Sequence, residues 1–118
     1  GTRNGYYRRE GTTLHLRYRV TFGAGMSVTG PVTLSLPSGM TAVTETDGFQ
    51  LLHSILRDTG TAVYHGIGQV TSGGTVITLY AQAAGGTWLQ QTAISTSVPH
   101  GWASTDVITV NGTIEVDP

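Results

Sequence analysis

The chain has 118 residues, of which 11% are charged, 17 are Gly and none is Cys, and its formal net charge is −1. This length suits a single domain, and the near-neutral charge argues against a global field that draws the chain to nucleic acid or to a membrane surface. The lack of Cys excludes disulfides and thiolate metal sites, and no apolar run approaches the roughly 20 residues of a membrane-spanning helix.

Alternating apolar and polar residues near the start of the chain predict two strands. Residues 13–22 carry apolar side chains at every even position, with polar residues between them. Successive side chains of a strand point to opposite faces, so this run predicts a half-buried strand. A shorter run, 6–10, lies between the turn-forming pairs Asn4-Gly5 and Gly11-Thr12, and it predicts a preceding strand.

The rest of the chain continues in the same way and shows no helical period. Six further strand-like runs cover residues 32–36, 49–57, 61–70, 75–81, 87–98 and 106–116. Asp58-Thr-Gly60 predicts a hairpin, and Gly112 inside the last run indicates a bulge or a close backbone approach. About eight strands at this spacing predict an all-β fold, an antiparallel sandwich that is jelly-roll-like, over the single domain 1–118.

The arginines are concentrated at one end of the chain. Five of the six lie within the first nineteen residues. A nucleic-acid-binding arm is one interpretation, but such arms usually mix Lys with Arg in flexible segments. Because these arginines fall within strand patterns, we favour a strand pair whose arginines meet acids such as Glu115 and Asp117, and we expect no nucleic-acid partner.

No catalytic or metal-binding motif is recognisable. The sequence has no Gly-x-Ser-x-Gly elbow, no His-Glu-x-x-His motif and no phosphate-binding loop. The four His residues lie apart from one another, and His53 alternates with Leu51 and Ile55, which suits either a core or an interface position. The sequence therefore predicts a protein that is not an enzyme and holds no cofactor and no metal.

Aromatic residues beside turns are the best candidates for ligand contacts. Aromatic faces bury amphipathic ligands such as sugar rings, and short polar side chains beside them supply hydrogen bonds. Trp88 follows Gly85-Gly86, Tyr64 and His65 lie on the second arm of the 58–60 hairpin, and Trp102 lies in the loop before the last strand. The alternative for each tryptophan is a core or subunit-interface position.

Four ordered motifs carry a family resemblance that covers residues 5–116. They are Gly5-Tyr-Tyr-Arg-Arg-Glu-Gly11 with the strand that follows it, Gly30-Pro-Val-Thr-Leu-Ser-Leu-Pro37, Leu56-Arg-Asp-Thr-Gly-Thr-Ala-Val-Tyr64, and Gly101-Trp-Ala-Ser-Thr-Asp106 before Gly112-Thr-Ile-Glu115. Together they resemble the C-terminal domain of tail-fibre and minor tail proteins from phages of actinobacteria.

The resemblance implies a β-sandwich at the tip of a trimeric fibre that touches the host cell surface. It also implies that the chain is the C-terminal fragment of a longer fibre protein and is located on the virion. The family has no catalytic residues to transfer to this sequence. The chain's expected partners are two further copies of itself and a host polysaccharide or other glycan, and no membrane insertion is expected. Tyr6, Tyr18 and Ile114 are candidates for the subunit interface.

Two alternatives to receptor binding remain open from the sequence. One is a structural domain that trimerises or caps a fibre and binds no ligand. The other is a carbohydrate-binding module of a secreted bacterial enzyme, and such modules are commonly monomeric.

Overall fold

Eight antiparallel strands form one continuous hydrogen-bonded sheet in a computed structural model that describes residues 1–44, 48–85 and 88–118, with only the backbone described for 83–85 and 88–90. The strands are β1 (Thr2–Glu10), β2 (Thr13–Thr21), β3 (Thr33–Ser35), β4 (Phe49–Asp58), β5 (Ala62–Thr71), β6 (Val76–Gly85), β7 (Trp88–Ala93) and β8 (Val107–Glu115). The described residues contain no helix, so none is long and apolar enough to span a membrane.

The order of strands in the sheet differs from their order along the chain. Neighbouring strands follow the order β1-β2-β8-β4-β5-β6-β3, and β7 also pairs with β6. The last strand, β8, therefore lies between β2 and β4, so the C-terminal strand pairs with a strand from the N-terminal part of the chain. The predicted all-β antiparallel class with about eight strands is confirmed, and the curled sheet is consistent with a sandwich or a half-barrel. The jelly-roll connectivity stays a prediction.

Residues on the concave face of the sheet form the core. Leu14 and Leu16 of β2, Leu56 of β4 and Ile108 of β8 are buried there. The connection over residues 22–44 closes this face with the buried side chains Val28, Leu36 and Ala42. Alternation in β2 and β8 predicted the faces correctly, because burial follows the two-residue period of each strand.

Two glycine predictions have different outcomes. Asn4-Gly5 is not a turn, because β1 begins at Thr2 and a Cβ on Gly5 would lie 3.1 Å from ring carbons of Tyr18. Gly112 does mark a close approach, since a Cβ there would lie 2.7 Å from Leu52 Cδ2 and the residue has a φ of +149°. Both positions leave space for a neighbouring side chain.

The expected subunit-interface residues do not share one surface. Ile114 is buried in the core, and the hydroxyl of half-buried Tyr18 donates a hydrogen bond to the carbonyl of Ser35 at 2.8 Å. Only Tyr6 is exposed, and the Arg17 guanidinium lies 4.9 Å from its ring centroid. Ile114 is thus corrected from an interface to a core residue.

The N-terminal arginines are held within the sheet as the strand interpretation predicts. Arg8 forms an ion pair with Glu10, and Arg9 donates to the carbonyls of Gly11 and Asp117. The Glu115 carboxylate instead accepts from the hydroxyls of Thr12 and Thr13 at 3.1 Å. Arg8 thus pairs with a carboxylate, whereas Arg9 binds two backbone carbonyls and not the expected carboxylates of Glu115 and Asp117.

We expect Tyr18 to make the fold sensitive to alkaline pH. Burial raises the pKa of Tyr18 above its ordinary value of 10.0. Above pH 10, the folded state then holds a proton that the unfolded chain has released, so the free energy of unfolding falls as the pH rises. Tyr18→Phe should flatten this fall in urea denaturation between pH 9 and 11. The exposed Tyr7→Phe is the control, and equal slopes for both variants would contradict the prediction.

Candidate functional site

The β4–β5 turn meets the loop before β8 at one end of the sheet. The amide of Thr59 donates to Asp106 Oδ1 at 3.0 Å, and the Thr59 hydroxyl donates to the carbonyl of Thr105 at 2.6 Å. The turn itself closes through the Thr61 amide, which donates to the Asp58 carbonyl at 2.9 Å. This confirms the predicted hairpin and brings two distant parts of the sequence into contact.

Asp106 organises the loop from a buried position. Its Oδ2 accepts a hydrogen bond from the amide of Ala103 at 2.8 Å, while Oδ1 accepts the one from Thr59. Thr105, the residue before it, has a φ of +74°, a conformation that costs free energy for a β-branched residue. The two hydrogen bonds to the Asp106 carboxylate hold the loop in this strained conformation.

Two aromatic rings flank His100. The Tyr64 ring stacks on the imidazole with a centroid distance of 5.6 Å, and the Trp102 ring lies at 4.1 Å on a tilted plane. Trp102 also stacks on the buried ring of Phe22 at 5.0 Å. His100 is therefore buried among rings, although Gly101 beside it is exposed.

Two carboxylates approach the same imidazole without hydrogen bonding to it. Nδ1 of His100 lies 3.9 Å from Asp58 Oδ2 and 3.8 Å from Asp106 Oδ2, which exceeds hydrogen-bonding distance. Nδ1 instead lies 2.9 Å from the carbonyl oxygen of Gly101, to which it donates when it carries the proton. Nε2 is buried and has no hydrogen-bond partner among the described residues. Nitrogen and oxygen ligands for a cation thus converge here.

Of the three sequence-predicted site residues whose side chains are described, the structure brings two together. Tyr64 and Trp102 both lie half-buried against His100. His65 is exposed on the opposite face of the sheet, where its ring lies 5.9 Å from that of His53. The Trp88 side chain lies outside the described residues, although its backbone pairs with Gly85.

Sequence reasoning missed Asp58, His100 and Asp106. Asp58 is expected from the sequence only as a turn residue and as a polar neighbour of the rings, and the expectation of no metal rests on the missing Cys, the missing motif and the spacing of the His residues. The available signal was the segment from His100 to Asp106, which places a His, a Trp and an Asp in one loop. The second carboxylate comes from a turn that no local pattern connects with this loop.

A separate groove of about 300 Å³ lies elsewhere on the concave face. Val20, Val32 and Leu34 are among its mainly apolar lining residues, and Arg3 lies at one side. None of the four sequence-predicted residues lines it. Phe22 also lines it, so this groove and the cluster around His100 share the Phe22 ring.

The exposed face of β4 and β5 has an unusual apolar content. Phe49 and Leu51 are each 51% exposed, and Val63 is 57% exposed. His53 lies on this face and not in the core, so the open question about its position is answered in favour of the surface. The face offers an association surface beside the exposed His65.

No family model, curated protein or solved structure matches the chain.

Proposed function

We propose that this chain is a non-enzymatic receptor-binding domain of a phage tail fibre that recognises glycans on the host cell surface. The pairing of Tyr64 and Trp102 around His100 is the observation that carries the proposal. These half-buried rings lie beside the 58–61 turn, where Thr59 and Thr61 are exposed. Aromatic surface next to short polar side chains suits a sugar ring, which has both apolar C–H faces and hydroxyl groups.

The low charge and the rigid support of the site are in keeping with this role. Only 11% of the residues are charged, which suits binding of neutral sugars by stacking and hydrogen bonds. Asp58 is partly exposed and supplies a carboxylate acceptor at the edge of the aromatic pair. The hydrogen bonds of Asp106 fix the loop that carries Trp102, so little ordering is left to occur on binding.

We propose further that three copies associate, as in a fibre tip. A single shallow sugar site typically binds in the millimolar range, which corresponds to about −4 kcal/mol. Three linked sites raise the overall affinity by avidity without any new contact. The exposed apolar residues Phe49, Leu51 and Val63 supply a surface that association would cover.

We expect Tyr64→Ala to reduce binding of the labelled protein to host cells by about tenfold or more, because the loss at each site is multiplied across the trimer. Tyr7→Ala is the matched control, since Tyr7 is an exposed tyrosine on β1 that belongs neither to this site nor to the apolar surface of β4 and β5. Light scattering on both variants should give about three times the chain mass of 12.4 kDa. Unchanged cell binding by a folded, trimeric Tyr64→Ala variant would exclude this site.

A structural capping domain is the second candidate, favoured by the exposed apolar face of β4 and β5. Trimer formation without binding to cells or wall glycans would support it. A carbohydrate-binding module is the third candidate, and a monomer that binds glycans would support that one.

A further inference from the structure

We propose that Asp58, His100 and Asp106 bind a divalent first-row transition-metal ion, of the zinc or manganese kind. The proposal concerns the same end of the sheet as the aromatic pair, but it does not depend on glycan binding. It rests on the charge, the spacing and the burial of the three side chains.

The negative charges of Asp58 and Asp106 are not neutralised by any arginine in the described part of the chain. The Asp106 side chain is only 3% exposed, and Asp58 is 26% exposed. Neither carboxylate forms an ion pair with an arginine in the described residues, and His100 is the sole cationic candidate within 4 Å. Buried carboxylates in proteins are ordinarily paired with a cation or coordinated to a metal.

A protonated His100 would face the two carboxylates without a hydrogen bond to either of them. Its Nδ1–H is directed to the carbonyl oxygen of Gly101, and both carboxylates lie beyond hydrogen-bonding distance. The imidazolium would therefore carry a charge that neither ring nitrogen satisfies with a carboxylate.

The spacing of the three groups fits coordination of one ion. Ligands that bind one zinc ion at about 2.0–2.2 Å lie roughly 3–4.3 Å apart. Nδ1 lies 3.8 and 3.9 Å from the two carboxylate oxygens, which is inside this range.

The surroundings already orient two of the ligands. Two backbone amides fix the Asp106 carboxylate, which is the usual role of groups behind a metal ligand. The Tyr64 and Trp102 rings hold the imidazole on its faces, and with its proton on Nε2 the ring presents the Nδ1 lone pair to an ion. A nitrogen with several oxygens suits zinc or manganese better than a thiolate-binding metal.

Trp102 provides a direct optical readout, because its ring centroid lies 4.1 Å from that of His100. In a Trp88→Phe variant Trp102 is the remaining tryptophan of two, and titration with Co²⁺ alone should quench its fluorescence saturably at one ion per chain. Zn²⁺ should reverse the quenching by competition. Calorimetric titration of the unsubstituted protein with Zn²⁺ gives the same stoichiometry independently of the Trp88 substitution.

Asp58→Asn should weaken Co²⁺ binding about tenfold or more, because it removes a charged ligand from a partly exposed position. Glu10→Gln is the matched control: Glu10 pairs with the exposed His15 at 3.3 Å, and its loss should leave the titration unchanged. Failure of both Co²⁺ and Zn²⁺ to bind, or equal binding by Asp58→Asn and the parent, would overturn the proposal. Competition by Ca²⁺ but not by Zn²⁺ would overturn the assignment to a transition metal.

Discussion

Asp106→Ala should lower the free energy of unfolding by about 2–4 kcal/mol. The substitution leaves the amides of Thr59 and Ala103 without their acceptor, and hydrogen bonds to a charged group contribute roughly 1.5–3 kcal/mol each. It also removes the contact that holds the 103–106 loop against the β4–β5 turn, with Thr105 in its left-handed conformation. The loss should be measured by urea denaturation in the presence of a chelator, which separates it from any effect of a metal ion.

Asp106→Asn is the informative companion variant. It keeps one oxygen acceptor but turns an amide NH₂ toward the second backbone donor, so its stability should fall between those of Asp106→Ala and the parent. Asp117→Ala is the control, because the described residues show no hydrogen bond to its carboxylate and the substitution should change stability by less than about 0.5 kcal/mol. Equal unfolding midpoints for Asp106→Ala and Asp117→Ala would refute a stabilising role.

Gly66→Ala should destabilise the fold by about 2–3 kcal/mol, because a Cβ there has no space. It would lie 2.6 Å from the carbonyl oxygen of Tyr80 and 3.0 Å from Leu56 Cδ1. The oxygen belongs to the β5–β6 pairing and Leu56 is fully buried, so neither can move without opening the sheet or the core. Urea denaturation should show a lower midpoint for this variant.

Gly30→Ala is the matched control for Gly66→Ala. A Cβ at Gly30 would meet nothing within 4 Å. Its stability should lie within about 0.5 kcal/mol of the parent. If Gly66→Ala unfolds at the same urea concentration as Gly30→Ala, the close approach of β5 to β6 is not as tight as the structure places it.

The receptor-binding proposal and the metal proposal can succeed or fail separately. Tyr64→Ala tests the aromatic surface and leaves the three ligand side chains in place. Asp58→Asn leaves both rings in place but removes a carboxylate used in both proposals, so the ion is tested by the Co²⁺ titration, in which no glycan is present. Cell binding that survives a chelator but not Tyr64→Ala would assign the glycan contact to the rings alone.

Local patterns in the sequence located the strands and one hairpin, although β1 begins at Thr2 and not at residue 6, and β7 ends at Ala93. The alternation over residues 13–22 predicted β2 to within one residue, because side chains in a strand alternate whatever the partner strand is. Asp58-Thr-Gly60 predicted the β4–β5 hairpin because Gly60 can adopt its φ of +83° without steric cost. These features depend on a residue and its near neighbours alone.

Which face of β4 is buried was decided by tertiary structure. Odd-numbered and even-numbered positions of β4 both carry apolar residues, so the alternation does not show which of its two faces is buried. The structure buries Leu52 and Leu56 and exposes Leu51, because the 22–44 connection closes the concave side of the sheet. His53 follows Leu51 to the surface for the same reason.

The sequence by itself determined that this is a small all-β domain of low charge, and it found two of the residues at the aromatic site. Only the tertiary structure placed Asp58 and Asp106 beside His100. The antiparallel pairing of β8 with β4 aligns Arg57 with Val107. Asp58, which follows Arg57, therefore lies beside Asp106, which precedes Val107. The register between two strands so far apart in the sequence is fixed by the packing of the whole sheet, so no local pattern can predict it.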